Sequence, residues 1–501
     1  MFHPPLPDII LRASESLRRR IAYYWSGGLP PRPDSPVEAA LKWLAQPQPG
    51  PWLPRLAGQP MGDPQATALA VAVAWALGAE ELADRWKAWL LSIQRPDGAL
   101  SDPAHFGPSL SATAAFVQSL QPWEGTSPQV RQAVQAASEY LSVSLQEKSF
   151  EEPPWDCLAV LHDAAQRFGK PQWQDQVCRQ LRGDEQSILN EHCDVSIDRL
   201  ARRCAGLLDL GLEEPACKLL DRLAQRQRRD GSLLALPECH WVSSAGLAHV
   251  AQLWQRVGRR EAASRALDCL RRRQTATGGF PANWGRGSGT PREREPARTV
   301  IYYLETVRLQ VEAAFGPEAT TVPKAIDPAD GRVAAVRGWL GQLPAEAQVA
   351  DLGCGKGRYV RLLAAEFPGL HWTGVDTSTA MLAELPAAVT ACRGSLLRIP
   401  LAGQSFDGAL AVESLEHALV PERAVAELCR IVCPGGRVLV IDKDRSKQPL
   451  SRHEPWERWF TAAELADWLG RWCDDVCVMP VAHCEGRPAK DLFLAASGRV
   501  R

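Results

Sequence analysis

The stretch Gln348-Val349-Ala350-Asp351-Leu352-Gly353-Cys354-Gly355-Lys356-Gly357-Arg358-Tyr359 decides how the chain is read. An apolar run ends in a carboxylate. Three glycines follow at alternate positions, and a helical pattern begins. The order is strand, glycine turn, helix. Glycine has no Cβ to keep a ligand from the backbone, and it tolerates positive φ. The free N–H groups of the following helix favour a polar or anionic partner. A dinucleotide fingerprint needs a further Gly or Ala at a set distance. Counted from Gly353 and Gly355 that position is Arg358, and from Gly355 and Gly357 it is Val360, so neither register fits. The phosphate loop G-x-x-x-x-G-K-[ST] is absent here as well.

The motif acidic-x-G-x-G-x-G resembles the first motif of class I S-adenosylmethionine (SAM) methyltransferases, and the resemblance covers roughly residues 325–501. It implies an α/β, Rossmann-like seven-stranded domain with S-adenosyl-L-methionine as cofactor. Asp351 would then sit near the methionine amino group. Gly353, Gly355 and Gly357 would line the methionine and ribose.

Further motifs follow in order. After the helix Tyr359 to Glu366, the run His371 to Asp376 reads as a second strand ending in an acid. Asp376 lies 19 residues past Gly357. At that spacing a doubly wound sheet delivers a carboxylate to ribose hydroxyls. Thr377, Ser378 and Met381 stand where relatives contact the adenosine. A third strand is expected over Val389 to Arg393. Related enzymes often continue with Gly-Asp-Ala/Leu, whereas this chain has Gly394-Ser395-Leu396. Ser395 accepts a hydrogen bond more weakly than an ionised acid.

Ile399 to Leu410 resembles the "LPF-SFD" region of ubiquinone-type methyltransferases. A fourth strand would end at Val412, and Glu413-Ser414-Leu415-Glu416-His417 would stand at the mouth of the cofactor pocket. Glu413 is included among the cofactor-binding residues on this ground. Pro434-Gly435-Gly436 should precede a fifth strand, Val438 to Ile441. Thr461 and Glu464 form a capping-box pattern. Val476 to His483 and Asp491 to Ala496 suit the antiparallel end of the sheet. SAM's sulfonium is already activated, so a base is required only if the acceptor must lose a proton. The candidates are His417, Glu416 and His453, with Asp442 after them.

The rest of the chain is different. Residues 1 to about 315 read as helical, with apolar residues at i, i+3, i+4 and i+7, as in Ala66, Leu69, Ala70, Val73, Ala74 and Leu77. That segment is apolar on most other positions too, so a buried helix is expected. A repeat runs through this half: Trp89 to Leu100, Leu223 to Leu233, and Leu270 to Phe280. Each copy closes a helix with a Gln, turns through Gly, and places an apolar residue after it. The glycine is expected to be a left-handed helix cap. Further helices are expected over His105 to Leu120 and Cys239 to Trp254. One helix pair cannot bury its own stripe, so neighbours must stack.

The Gln-x-x-x-Gly-apolar pattern resembles the repeats of terpene cyclases and protein prenyltransferases, which implies an α/α toroid. An open solenoid is the competing architecture. The Asp-x-Asp-Asp and Asp-Asp-x-x-Asp motifs of cyclases are missing, and adjacent Cys239 and His240 are poor geometry for one metal. No metal site is expected. Polar residues do fall where inner helices would start: Asp63, His105, Asp194, Asp198, Arg199, His240 and Trp241. They are either caps or a cavity-mouth site.

The expected organisation is thus multidomain. Residues 1–315 form an all-α toroid-like domain, 316–332 a linker, and 333–501 the methyltransferase domain. Net charge is −1, so no global field recruits nucleic acid or a membrane. Fourteen cysteines without a C-x-x-C pair suit reduced thiols in a cytoplasmic setting. The N-terminus does not resemble a signal peptide, and no transmembrane segment is expected. The acceptor could be a lipid or isoprenoid, a glycan that stacks on tryptophan, or a small metabolite. Two other readings stand beside this one: a non-catalytic helical scaffold with a SAM-sensing domain, and a bifunctional cyclase–methyltransferase.

Overall fold

The computed structural model describes residues 35–48, 50–102, 107–147, 150, 154–183, 195–287, 294–316, 323–447, 456–483 and 490–501. His105, Asp194, His453 and residues 317–322 of the expected linker lie outside them. Two compact units emerge. One holds the chain to Val73 and from Glu81 to Thr306; the other holds Ala74 to Glu80 and Val307 onward. The division at 306/307 falls inside a continuous helix, whereas the sequence reading set its limits at 315 and 333.

The first unit is built from helices α1 (Pro36–Ala45), α2 (Pro64–Ala76), α3 (Glu80–Ser92), α4 (Leu110–Ser119), α5 (Pro128–Glu147), α6 (Trp155–Arg167), α7 (Pro171–Gly183), α8 (Ile197–Asp209), α9 (Glu213–Arg226), α10 (Ser244–Arg256), α11 (Arg260–Arg271) and α12 (Ala297–Ala314). Apolar stripes explain the packing. On α9, Ala216, Leu219, Leu220 and Leu223 are buried at helical spacing. On α2, Ala66, Ala68, Ala70, Val71, Val73 and Ala74 are all buried, as an all-round apolar helix requires. Helices α4, α6, α8 and α10 pack side by side in chain order, with α5, α7, α9 and α11 packed against them. The Ser244 and Thr299 hydroxyls, 2.7 Å apart, and the His249 ring stacked on Tyr302 at 4.1 Å join α10 to α12.

The repeat has a structural counterpart. Gln94 Nε2 donates to Gly98 O at 3.0 Å and to Ala133 O at 2.8 Å. Gln227 does the same to Gly231 O at 3.1 Å and Ala262 O at 3.0 Å. Gln274 donates to Gly278 O at 2.8 Å and, back at the start of α1, to Pro36 O at 2.8 Å. Each glutamine therefore closes its own turn and clamps it to another helix. The glycines are not helix caps. They lie in turns closed by Gly98 N–H to Arg95 O, Gly231 N–H to Arg228 O and Gly278 N–H to Thr275 O. Their φ values are +88°, +83° and +93°, and a Cβ would strike the carbonyls of Ala136, Arg265 and Ala39. Positive φ and close backbone approach together demand glycine. Replacing Gln227 with Ala should cost about 2 kcal/mol, since two carbonyls lose their donor. Chemical unfolding checks it; an unchanged midpoint would remove the clamp.

Two helix starts differ from expectation. Helices α4 and α10 begin at Leu110 and Ser244, and His240–Ser243 instead pairs antiparallel with Asn283–Arg286. Ser109 and Ser243 cap the helices by accepting from Ala112 N–H and Gly246 N–H, each at 3.2 Å. Serine is a better N-cap than the residues upstream. Trp43, Trp86, Trp155 and Trp254 are core residues, so this part of the tryptophan content serves packing rather than sugar stacking.

The second unit carries a seven-stranded sheet: β1 (Gln348–Leu352), β2 (His371–Asp376), β3 (Val389–Arg393), β4 (Phe406–Val412), β5 (Val432–Lys443), β6 (Cys473–His483) and β7 (Lys490–Val500). The spatial order is β6-β7-β5-β4-β1-β2-β3; β7 alone runs antiparallel, between β5 and β6, and the other six strands share one direction. This is the Rossmann-like arrangement expected. Helices α13 (Gly331–Leu340), α14 (Arg358–Leu363), α15 (Pro421–Ile431) and α16 (Ala462–Gly470) accompany it. Val333, Val336 and Trp339 of α13 join Val349, Trp372, Leu410, Leu439 and Phe493 in the core.

Strands β2 and β3 and the Thr461–Glu464 capping box match the sequence reading. Strand β5 starts earlier, at Val432, because Pro434-Gly435-Gly436 is a bulge: pairing jumps from Phe406–Val432 to Gly408–Arg437. Helix α14 stops short of Glu366, and β6 and β7 run longer than expected. Because β1 pairs with β2 on one side and β4 on the other, chain order reverses there. The crevice past the carboxyl ends of such strands is where α/β sheets bind ligands.

Candidate functional site

That crevice is a cavity of about 540 Å³. Asp351, Gly353, Gly355, Asp376, Thr377, Met381, Ser395, Leu396, Glu413, Glu416 and His417 all line it. The ends of β1, β2, β3 and β4 and the segments that follow them bring these residues together from across the unit. Gly357 does not line it. It caps α14 in the left-handed region at φ +73°.

The glycines have separate tasks. Gly353 has φ +71°, and a Cβ there would run into the Ser414 side chain, whose hydroxyl donates to Leu352 O at 2.9 Å. Its missing side chain makes room for the loop after β4, not only for a ligand. Gly355 N–H donates to Asp376 Oδ2 at 2.9 Å, and Ser378 N–H donates to Asp376 Oδ1 at 2.8 Å. One carboxylate thus ties the glycine turn to the end of β2. Burial pushes the Asp376 carboxyl above its ordinary value, and the backbone donors oppose that push.

Asp351 is buried, and no described residue donates a hydrogen bond to it. Burial first, and then the Asp376 charge, push its carboxyl up to about 7, with Arg358 opposing. A buried acid without a donor is unfavourable unless a cation arrives. The ammonium of a methionine moiety is such a cation, so these residues fit SAM.

Glu413 behaves differently from a ligand-facing acid. Its Oε1 accepts from Arg332 Nη1 at 2.5 Å, from Arg358 Nη2, and from Tyr359 Oη at 3.3 Å. Its φ is +52°, a strained value for a side chain of this size. Arg332 is itself buried, paired with both Asp330 oxygens and placed over the Phe493 ring at 4.6 Å. Burial opposes the Arg332 charge; Asp330 and Glu413 outweigh it and hold its pKa up. Glu413 is a hub that anchors α13 and α14. Glu413→Ala should destabilise the domain by about 3 kcal/mol, since it leaves a buried guanidinium short of a counter-charge. Urea unfolding measures it.

Around the candidate bases there is a second charged cluster. Glu416 is buried. Its Oε1 lies 3.3 Å from His417 Nε2, and its Oε2 lies 2.9 Å from Lys443 Nζ. Lys443 also meets Glu457 at 2.7 Å. Burial works to lower the Lys443 ammonium; Glu416 and Glu457 outweigh it and hold it up. Asp442 is fully buried and accepts from Glu416 N–H at 3.0 Å. Burial, then the Glu416 charge, push its carboxyl well above its ordinary value, and the backbone N–H groups of Glu416 and Lys443 oppose that push. The His417 ring meets Phe315 edge-on at 4.8 Å, and its Nδ1 has no partner among the described residues. His453 lies outside the described residues.

Several cavity residues are not singled out by the sequence: Cys354, Lys356, Tyr359 and Phe315. Only the first three stand within the quoted stretch. Nothing local marks Phe315, which comes from the chain before the expected methyltransferase domain. Among the described residues there is no cluster able to hold a metal, and no helix long and apolar enough to cross a membrane.

A family model described as a methyltransferase domain matches residues 350–440. The chain is 36% identical over 114 residues to trans-aconitate 2-methyltransferase of Paracidovorax citrulli, covering 22% of this chain and 44% of that protein. It is 32% identical over 126 residues to a ubiquinone/menaquinone biosynthesis C-methyltransferase of Syntrophotalea carbinolica, covering 24% and 52%. The chain thus spans about half the length of these curated relatives. A solved structure from Thermotoga maritima, a SAM-dependent methyltransferase described as a possible histamine N-methyltransferase, is similar at 25% identity. It covers 34% of this chain and 88% of that one, with a TM-score of 0.28. All of these similarities are partial, and the family match falls on the strands and loops that build the crevice. The C-terminal region is a class I SAM-dependent methyltransferase domain, and S-adenosyl-L-methionine is its expected cofactor.

Proposed function

We propose that the C-terminal domain transfers the methyl group of SAM to an acceptor that the helical unit holds or selects. The observation that carries this is the pair of acids, buried Asp351 and half-buried Asp376, in one crevice with a glycine turn between them. When bound, SAM supplies an electrophilic methyl on a sulfonium. Asp351 would hold the ammonium. Asp376 would accept from the ribose hydroxyls while keeping Gly355 in place. Thr377, Met381, Ser395 and Leu396 would bound the adenosine. The cavity wall contains His417, and Glu416 is placed to orient its ring. This makes His417 the proton acceptor for any acceptor group that must lose one, with Glu416 as its positioning residue. Once Lys443 holds it, Glu416 is poorly suited to act as the base itself.

The helical unit is read as a closed α/α toroid rather than an open solenoid. Three contacts support closure: Gln274 clamps Pro36, the Trp43 indole donates to Glu295 Oε2 at 2.6 Å, and Arg298 pairs with Asp63 at 3.2 Å. All join the last turns of the unit to its first helices. The acceptor class stays broad: a lipid or isoprenoid, a glycan, or a small metabolite. Free thiols at all described cysteines suit a reducing, cytoplasmic setting.

The test is transfer of labelled methyl from SAM to separated lipid, polysaccharide and small-molecule fractions. Label should enter one fraction, and His417→Asn should slow transfer about 100-fold or more at unchanged SAM affinity if a proton is removed. Failure to label any fraction, together with no SAM binding, would sink the reading.

A further inference from the structure

The helical unit has a cavity of its own, about 580 Å³. Its wall includes Asp63 to Gln65 at the start of α2, Ser109, Ser111 and Ala112 at the start of α4, Arg202 of α8 and Arg298 of α12. Residues from four separate inner elements therefore face one space. Arg55 joins them.

The charges in this wall do not cancel. Three guanidiniums, Arg55, Arg202 and Arg298, share it with two carboxylates, Asp63 and Asp102. Asp63 is already committed twice. Its Oδ1 accepts from Ala66 N–H at 2.9 Å, capping α2, and its Oδ2 accepts from Arg298 Nη2 at 3.2 Å. Asp102 also has a partner. On the other side of the balance, Arg55 and Arg202 have no ion-pair partner among the described residues. The buried Nε of Arg298 finds no acceptor among them either. A buried N–H without an acceptor is costly, and an incoming oxygen would satisfy it.

Guanidinium offers paired N–H donors that match the oxygens of phosphate or carboxylate.

We propose that this cavity binds the phosphate or carboxylate group of a small molecule, with Arg202 and Arg298 as its principal ligands and Arg55 as the third cation. The site is independent of the SAM crevice.

The test is calorimetry on the full chain in phosphate-free buffer, with pyrophosphate, citrate and uncharged glucose as probes. Sub-millimolar binding of at least one anion is expected, and the tighter of the two identifies the oxyanion. Arg202→Gln should weaken that anion at least tenfold, and Arg202→Lys should weaken it less. Binding should fall with added salt. Each variant is also checked for helical content by circular dichroism, which reports that the helical unit is folded, and titrated with SAM, whose unchanged affinity keeps the two sites distinguishable. Two results would overturn the proposal: neither anion binds the wild-type chain, or the bound anion holds equally well when Arg202 and Arg55 are both changed to Gln.

Discussion

Asp351→Asn is expected to weaken SAM binding by about 30- to 100-fold, the equivalent of a charged hydrogen bond lost in a buried site. The same change should make the cofactor-free protein more stable above pH 7. The unfolded chain titrates this acid near its ordinary 3.8, and the folded one near about 7. Between those values the folded state binds more protons. The stability contribution is full below the lower value and is lost as pH rises through the upper one. At pH 8 the ionised, donor-less carboxylate therefore burdens the fold, on the order of 4 kcal/mol. Asparagine removes the burden and the ligand together.

A pH signature follows from the same acid. SAM needs the ionised form, so wild-type affinity should rise about tenfold from pH 6 to pH 8 and flatten beyond. Proton release on binding near pH 7 should appear as a buffer-dependent heat. Asp351→Asn should show neither. Equal pH profiles for the two proteins would separate Asp351 from the cofactor.

The second large effect is expected for Gly353→Ala. Here two penalties add. Alanine at φ +71° is strained, and its Cβ would collide with Ser414. Ser414 can yield only by giving up its bond to Leu352 O. The loop after β4 carries Glu413, Glu416 and His417, so the damage should spread to the whole crevice wall. A loss of about 3 kcal/mol in stability and more than tenfold in SAM affinity is expected. Gly470→Ala is the control, because no atom lies within 4 Å of a Cβ built there. Equal unfolding midpoints for the two variants would contradict the packing role given to Gly353.

Much of the SAM crevice was legible in sequence because it is assembled from strand ends. A strand that stops at an acid announces its own carboxyl end, and Asp351 and Asp376 both do so. The alternate glycines mark the turn between them. Long-range partners are another matter. Glu413 reads as one more acid at the pocket mouth, yet its carboxylate is engaged by Arg332, 81 residues earlier. Nothing in the spacing carries that pairing. Similarly, Gly353 reads as ligand space, and only the fold shows Ser414 against it. In the helical half, the Gln and Gly of each repeat were visible, but not their joint work. The glycines read as helix caps because the turn that follows each helix is not a periodic signal. The clamp from Gln274 to Pro36 spans 238 residues, beyond any local pattern. His105, Asp194 and His453 fall outside the described residues.

The most direct measurement is a calorimetric titration of the purified full chain with SAM at pH 8, repeated with Asp351→Asn and Asp376→Asn. The crevice described above should give one site per chain at roughly micromolar to sub-millimolar affinity, with at least about 30-fold weakening in each variant. A folded wild-type chain that gives no heat, or variants that bind as tightly as the wild type, would contradict it.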